Sequence, residues 1–201
     1  MPMPLPTTLR RARLLAAAGL VAVTALAGCS APQDDPRPPA KPTATHAVVP
    51  DHEAADPTHL AIPSLGVQSA LMRLGLNADG TVEVPPPEKG MTAGWYTGLA
   101  KPGETGPAVI IGHNDTRYGR AVFHDLKKIA KGADIAVRDA RGRTVHFTVT
   151  AKQTVSKKAF PTQKVYGATD APVLRLVTCD GGYDAEGHPV DNLIVYAEVT
   201  R

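Results

Sequence analysis

Aromatic residues are scarce in this chain, at 4% of 201 residues. A core built on stacked rings is therefore excluded, and any folded part must be filled by Val, Leu, Ile and Ala. Cysteine is scarcer still, with Cys29 and Cys179 alone. That excludes a disulfide-rich framework and leaves room for one bridge at most. Basic residues form no dense stripe. The net charge is +3, and much of the excess sits in Arg10, Arg11 and Arg13. No nucleic-acid partner is expected from such a balance. Phosphate-cradling glycine loops, metal-ligand clusters and internal repeats are also missing, so neither cofactor nor metal is expected. His46, His52 and His59 lie close together in sequence, but their spacing fits no closed metal site.

What is present begins with an address. Residues 1–13 carry three arginines and no acid, and residues 14–28 form an apolar or small-residue run. The run is shorter than the roughly 20 residues a spanning helix needs. A basic stretch followed by a short apolar one reads as a secretory signal. Its end, Leu26-Ala27-Gly28-Cys29, resembles the lipobox of bacterial lipoproteins. That resemblance implies cleavage before Cys29 and a diacylglycerol on its sulfur; the alternative is an uncleaved signal anchor. With Cys29 lipidated, Cys179 stands as a lone thiol in an oxidising compartment, which marks it as reactive. The signal is assigned to 1–28. Residues 29–57, rich in Pro, Ala and charge, read as a solvated tether.

The folded domain is assigned to 58–201. Short apolar runs there are divided by Gly, Pro, Asn and Asp, with strands expected at 59–62, 67–73, 108–112, 134–139, 145–155, 173–178 and 193–200. Asp139-Ala140-Arg141-Gly142-Arg143 lies between two runs and reads as a hairpin turn. Helical spacing is found at 122–130, with Gly132 as its stop. The fold class is mostly β, a closed barrel or sandwich with few helices.

Two strand ends carry chemistry. The apolar run Ala108-Val-Ile-Ile ends at Gly112, and His113 follows. Leu174-Arg-Leu-Val ends at Thr178 and Cys179, ahead of Asp-Gly-Gly. If the two strands are neighbours, imidazole and thiol meet at one rim. A nearby imidazole lowers the thiol's pKa and can protonate a leaving amine. Alternation puts Arg175, Val177 and Cys179 on one strand face. Arg175 then either points toward the site or serves as a surface ion-pair partner. His188, in the loop after Cys179, is the alternative base. Asp115 either orients the imidazole or caps its loop. Trp95 and Tyr96 belong to the core or a groove wall, and His124 to the surface.

These segments resemble the sortase family. Leu-Val-Thr-Cys179 and Ile-Gly-His113 carry the resemblance. Ala61-Ile-Pro-Ser-Leu-Gly-Val, Ala121-Val-Phe-His-Asp-Leu, Gly132-Ala-Asp-Ile and Asp191-Asn-Leu-Ile-Val-Tyr-Ala support it in order, over about residues 57–201. The likeness is greatest to the actinobacterial class F or E members. It implies a closed eight-stranded sortase-type β-barrel with one or two short helices. It also implies a cysteine transpeptidase. Cys179 attacks a sorting signal of LPXTG type, His113 protonates the departing amine, and a cell-wall precursor amine resolves the acyl-enzyme. Partners would be secreted proteins bearing that motif, on the outer face of the plasma membrane of a Gram-positive, actinobacterial cell. One departure stands out. The family's closing-strand arginine should fall near Val190–Asn192, and this chain has Val190, Asp191 and Asn192 there. Arg175, Asn192 and Thr178 are the residues left for orienting substrate or binding an oxyanion. The alternative is a catalytically weak or inactive sortase-fold binding lipoprotein. An L,D-transpeptidase is disfavoured, because its Ser-His-Gly-Cys motif is replaced by Val-Thr-Cys179-Asp.

Overall fold

The structure is a computed structural model that describes residues 54–187 and 189–200. The expected signal 1–28, Cys29, the tether as far as 53 and His188 lie outside the described residues.

In chain order the elements are β1 (Pro57–Ile62), β2 (Val67–Leu74), β3 (Ala93–Tyr96), β4 (Gly106–Ile111), β5 (Asp115–Thr116), β6 (Gly119–Arg120), β7 (Asp134–Asp139), β8 (Thr144–Ser156), α1 (Thr162–Tyr166), β9 (Pro172–Tyr183) and β10 (Pro189–Val199). Eight of these strands close into a barrel in the order β1-β2-β3-β4-β9-β10-β8-β7, and β5 and β6 form a separate hairpin. Closure removes the exposed edges that an open sheet would present. The pairs β2·β3 and β4·β9 are parallel; all other neighbours in the barrel are antiparallel.

Every residue of β4 is buried, because both faces of this strand are covered. Ala108 and Ile110 turn into the barrel, against Leu174, Leu176, Leu193, Val195 and Phe147. Val109 and Ile111 turn outward and pack with Val165 of α1 and with Val177, Ile194 and Tyr196. A strand buried on both sides reads as a continuous apolar run rather than an alternation, which is the pattern of 108–111 and, but for the buried Arg175, of 173–177. The expected hairpin turn also forms. The Asp139 carboxylate accepts from the N–H of Arg141 and of Arg143, each at 2.9 Å, and Gly142 takes φ +82°, a conformation open to glycine.

Two elements differ from expectation. The stretch 122–130 holds only a short 3-10 turn at Leu126–Lys128. Its first N–H groups are taken by neighbours, Val122 by the Gly90 carbonyl at 2.9 Å and Phe123 by the His113 carbonyl at 2.8 Å. Its apolar spacing comes from Val122, Phe123, Leu126 and Ile129 plugging the barrel. The α-helix lies instead at Thr162–Tyr166, where Val165 alone is buried. Ordered contacts also begin ahead of residue 58. Ala54 is buried and donates its N–H to Glu104 at 3.1 Å, and Asp56 pairs with Arg73 and Lys101.

Candidate active site

The parallel pairing of β4 with β9 decides which residues meet at the rim. Ile111 lies beside Val177, and the N–H of Gly112 donates to the Val177 carbonyl at 3.1 Å. His113 and Cys179 each follow two residues beyond that last pair, and both line the same cleft. On the other flank, Asn192 of β10 is the direct partner of Cys179, and Val155 of β8 the partner of Asn192. The thiol thus shares one cleft with an imidazole and an amide. Along β9, Thr178 turns to the interior and is buried, while Cys179 is half-buried and, among the described residues, free of any disulfide.

His113 is held at several points. Its carbonyl accepts from Phe123, and Gly112 before it has no room for a side chain. A Cβ there would come within 2.7 Å of Val122 and Phe123. Its ring Nε2 lies 2.6 Å from the carbonyl oxygen of Pro85. A carbonyl can only accept, so Nε2 carries a proton and Nδ1 is the nitrogen left to take or give one. Asp115 does not reach this ring; it accepts from His124 Nδ1 at 2.9 Å.

Pro85 comes from the connection between β2 and β3, which is tied down by its own bonds. Leu76 bridges Val82. Asp79 accepts from the N–H and hydroxyl of Thr81 at 3.0 and 2.6 Å, and the Thr81 bonds hold its carboxyl below the usual range. Glu83 accepts the Gly75 N–H at 2.6 Å. The strap so formed leaves Leu76 and Val84 more than half exposed, at 54% and 57%. Both line a cleft of about 800 Å³ that also contains His113, Thr178, Cys179 and Asn192. Phe160 and Tyr166, from the segment after β8, make the facing wall. A mostly apolar cleft with a few convergent polar groups suits an extended apolar peptide.

Arg175 lies outside the lining of this cleft. Its guanidinium donates to the carbonyls of Lys164 at 3.4 Å and Leu174 at 3.1 Å, and stacks on the Tyr196 ring at 4.9 Å. Burial pushes its pKa down, against the opposing influence of Tyr196 and Glu198. Asp180, next to the thiol, is also engaged elsewhere, with Thr154 at 2.7 Å and Lys127 at 3.1 Å. Burial works against its charge, but Thr154, the Gly181 N–H and Lys127 hold its carboxyl below the usual range. The hydroxyl of Thr178 is buried without a hydrogen-bond partner among the described residues. Among the described residues, no group of three or more His, Cys, Asp and Glu is placed to hold a metal ion.

Fold and rim together define an all-β barrel with a thiol and an imidazole facing one peptide-sized cleft. A sortase domain model matches residues 60–200, and the chain belongs to the sortase family. Among solved structures it is similar to sortase C1 from Streptococcus agalactiae, with 18% identity, 72% of this chain and 67% of that chain covered, and a TM-score of 0.57. Sortase C-1 from Actinomyces oris shares 21% identity over 73% of this chain and 76% of that one, with a TM-score of 0.57. Sortase A from Listeria monocytogenes shares 19% over 74% and 88%, with a TM-score of 0.55. No curated protein sequence matches the chain.

Several cleft residues carry no sequence signature of their role. Pro85 acts through a main-chain oxygen; the run Pro85-Pro86-Pro87 was its only trace, since consecutive prolines leave carbonyls with no local N–H to serve. Phe160 reaches the cleft from the end of the 3-10 turn after β8, and Tyr166 from α1, which is too short to show helical periodicity.

Proposed function

We propose that the protein is a cysteine transpeptidase that cleaves a C-terminal sorting signal of LPXTG type and transfers the acyl part to a cell-wall amine. The observation that carries this reading is that His113, just past the end of β4, and the paired Cys179 and Asn192 line one apolar cleft. In this reading the Cys179 thiolate attacks the scissile carbonyl. The new C–S bond forms as the carbonyl π pair moves to oxygen, where the Asn192 amide can donate to it. Collapse expels the amine, protonated by His113, and leaves a thioester on Cys179. An incoming amine gives its proton to His113, attacks the thioester and restores the thiolate. Water in place of the amine gives hydrolysis. Cys29, as a lipid-bearing residue, and residues 29–57, as a tether, would hold the barrel at the outer face of the plasma membrane of a Gram-positive cell. The motif order supports membership among the class F or E sortases.

A second reading is a binding-only barrel. The closing strand offers Val190, Asp191 and Asn192 where the family resemblance calls for an arginine, and Arg175 is committed to Lys164 and Tyr196. Turnover of a fluorogenic LPXTG-type peptide, with and without an added amine, separates the two. Cleavage that becomes ligation with amine and is lost in Cys179→Ala supports the enzyme. Binding without cleavage, across several motif variants, supports the barrel alone.

A further inference from the structure

The cleft is almost free of charge. Apart from His113, Lys157 is the one ionisable side chain of full charge among its lining residues. Its position follows from strand pairing. Val155 of β8 pairs with Asn192, which pairs with Cys179, and Ser156 pairs with Asp191. Lys157 is the next residue, at the start of a 3-10 turn whose entry is fixed by the Ser156 hydroxyl accepting from the Lys158 N–H at 3.3 Å. The lysine therefore stands on the flank of Cys179 opposite His113. Neither a salt bridge nor a hydrogen bond engages its side chain among the described residues. The carboxylates closest in sequence to the reacting strands are directed elsewhere. Asp180 is held by Lys127 and Thr154, and Asp191 lies against Gly181.

An unpaired ammonium at the rim of an apolar cleft is a selector of charge on whatever occupies the cleft. It is exposed and sits on a flexible stem, which makes it a poor preorganised oxyanion donor and a good counter-charge for a mobile carboxylate. Two strand spacings and about two residues separate it from Cys179, roughly 10 Å across and 7 Å along. An extended peptide advances about 3.3 Å per residue, so the lysine head reaches a side chain within about two residues of the scissile bond. We propose that Lys157 selects substrates bearing Asp or Glu at the variable position of the sorting signal, one residue removed from the scissile bond, by pairing with that carboxylate. This rests on the transpeptidase reading of the cleft.

The test uses the full chain and has two arms. In the first, peptides of LPXTG type carrying Glu, Gln or Lys at the variable position are compared by kcat/KM. The wild type should favour Glu over Gln, and Gln over Lys, by about two- to five-fold per step, the range of a solvent-facing ion pair. Lys157→Gln should bring the Glu-to-Gln ratio to about one, and Lys157→Glu should favour the Lys peptide. An unchanged ratio, or an equal fall for all three peptides, overturns the proposal. In the second arm, alkylation of Cys179 by anionic iodoacetate and neutral iodoacetamide is timed by peptide mapping, at about 0.01 M salt, where the screening length is about 30 Å. Lys157→Gln should lower the iodoacetate-to-iodoacetamide ratio about two-fold and leave the iodoacetamide rate alone. The peptide arm decides wherever any peptide is turned over. If none is, the transpeptidase reading fails, and the alkylation ratio alone decides whether Lys157 selects anions at the thiol.

Discussion

At the scale of single residues, the cleft works by giving each polar group one task. His113 has its Nε2 proton committed to the Pro85 carbonyl at 2.6 Å, so in the proposed reaction the ring acts through Nδ1. Nitrogen-15 NMR of His113 in the neutral state should show Nε2–H and an unprotonated Nδ1; the opposite tautomer would contradict the bond. Asn192 is the direct strand partner of Cys179, and in the proposed reaction its amide donates to the oxyanion. Asn192→Ala should lower kcat by about 10²-fold or more, as loss of one such donor does, with little change in KM. A change confined to KM would instead make Asn192 a substrate contact. The thiol and imidazole were legible because each follows an apolar run at a strand end. Pro85 was not, since a main-chain acceptor leaves no side-chain pattern and its partner lies far along the chain. Arg175 shows the limit of alternation. Parity puts it on the outer face with Val177 and Cys179, but it says nothing of α1, whose carbonyl at Lys164 takes the guanidinium.

At the scale of elements, β4 and β9 are the frame of the site. Their parallel register ends with Ile111 beside Val177, two residues before His113 and Cys179, and both of these line one cleft. Gly112 sets how closely the end of β4 approaches the plug formed by Val122 and Phe123. Gly112→Ala should cost about 1–3 kcal/mol through overpacking, read as a lower urea midpoint. The displaced His113 should also reduce turnover more than the stability loss alone explains, judged by kcat well below the unfolding transition. Seven strands could be read from their apolar runs. β3 could not, because Ala93-Gly94-Trp95-Tyr96 is short and its identity as a strand comes from pairing with β2 and β4. The apolar residues at 122–130 have a helix-like spacing because they fill one barrel mouth, and tertiary bonds to Gly90 and His113 override the local preference.

At the scale of the whole molecule, the closed barrel was legible in outline from many short strands and few helices. The order of its strands needed the motif resemblance, since apolar runs do not say which strands pair. The response to acid is set by carboxylates held in local hydrogen bonds. The carboxyl of Asp180 lies below its usual range, held there by Thr154, the Gly181 N–H and Lys127 against burial. Asp139 is likewise depressed, its burial outweighed by the N–H groups of Arg143 and Arg141 and by the Arg143 side chain. A depressed carboxyl binds its proton more readily in the unfolded chain. Its stabilisation is therefore complete above the unfolded value of about 3.9 and fades as pH falls through the lower folded value. Urea midpoints should be flat in this respect above about pH 5 and fall below about pH 4. Asp180→Asn should make that acid limb shallower; an unchanged limb would mean that Asp180 does not contribute to it.

Intact-mass spectrometry of the full chain mixed with an LPXTG-type peptide, sampled by acid quench before and after the amine is added to the running reaction, tests the thiol's role most directly. A thioester adduct of the acyl fragment that maps to Cys179, disappears on adding amine and is absent from Cys179→Ala is the predicted result. Peptide cleavage with no adduct at Cys179, or cleavage that survives Cys179→Ala, would contradict it.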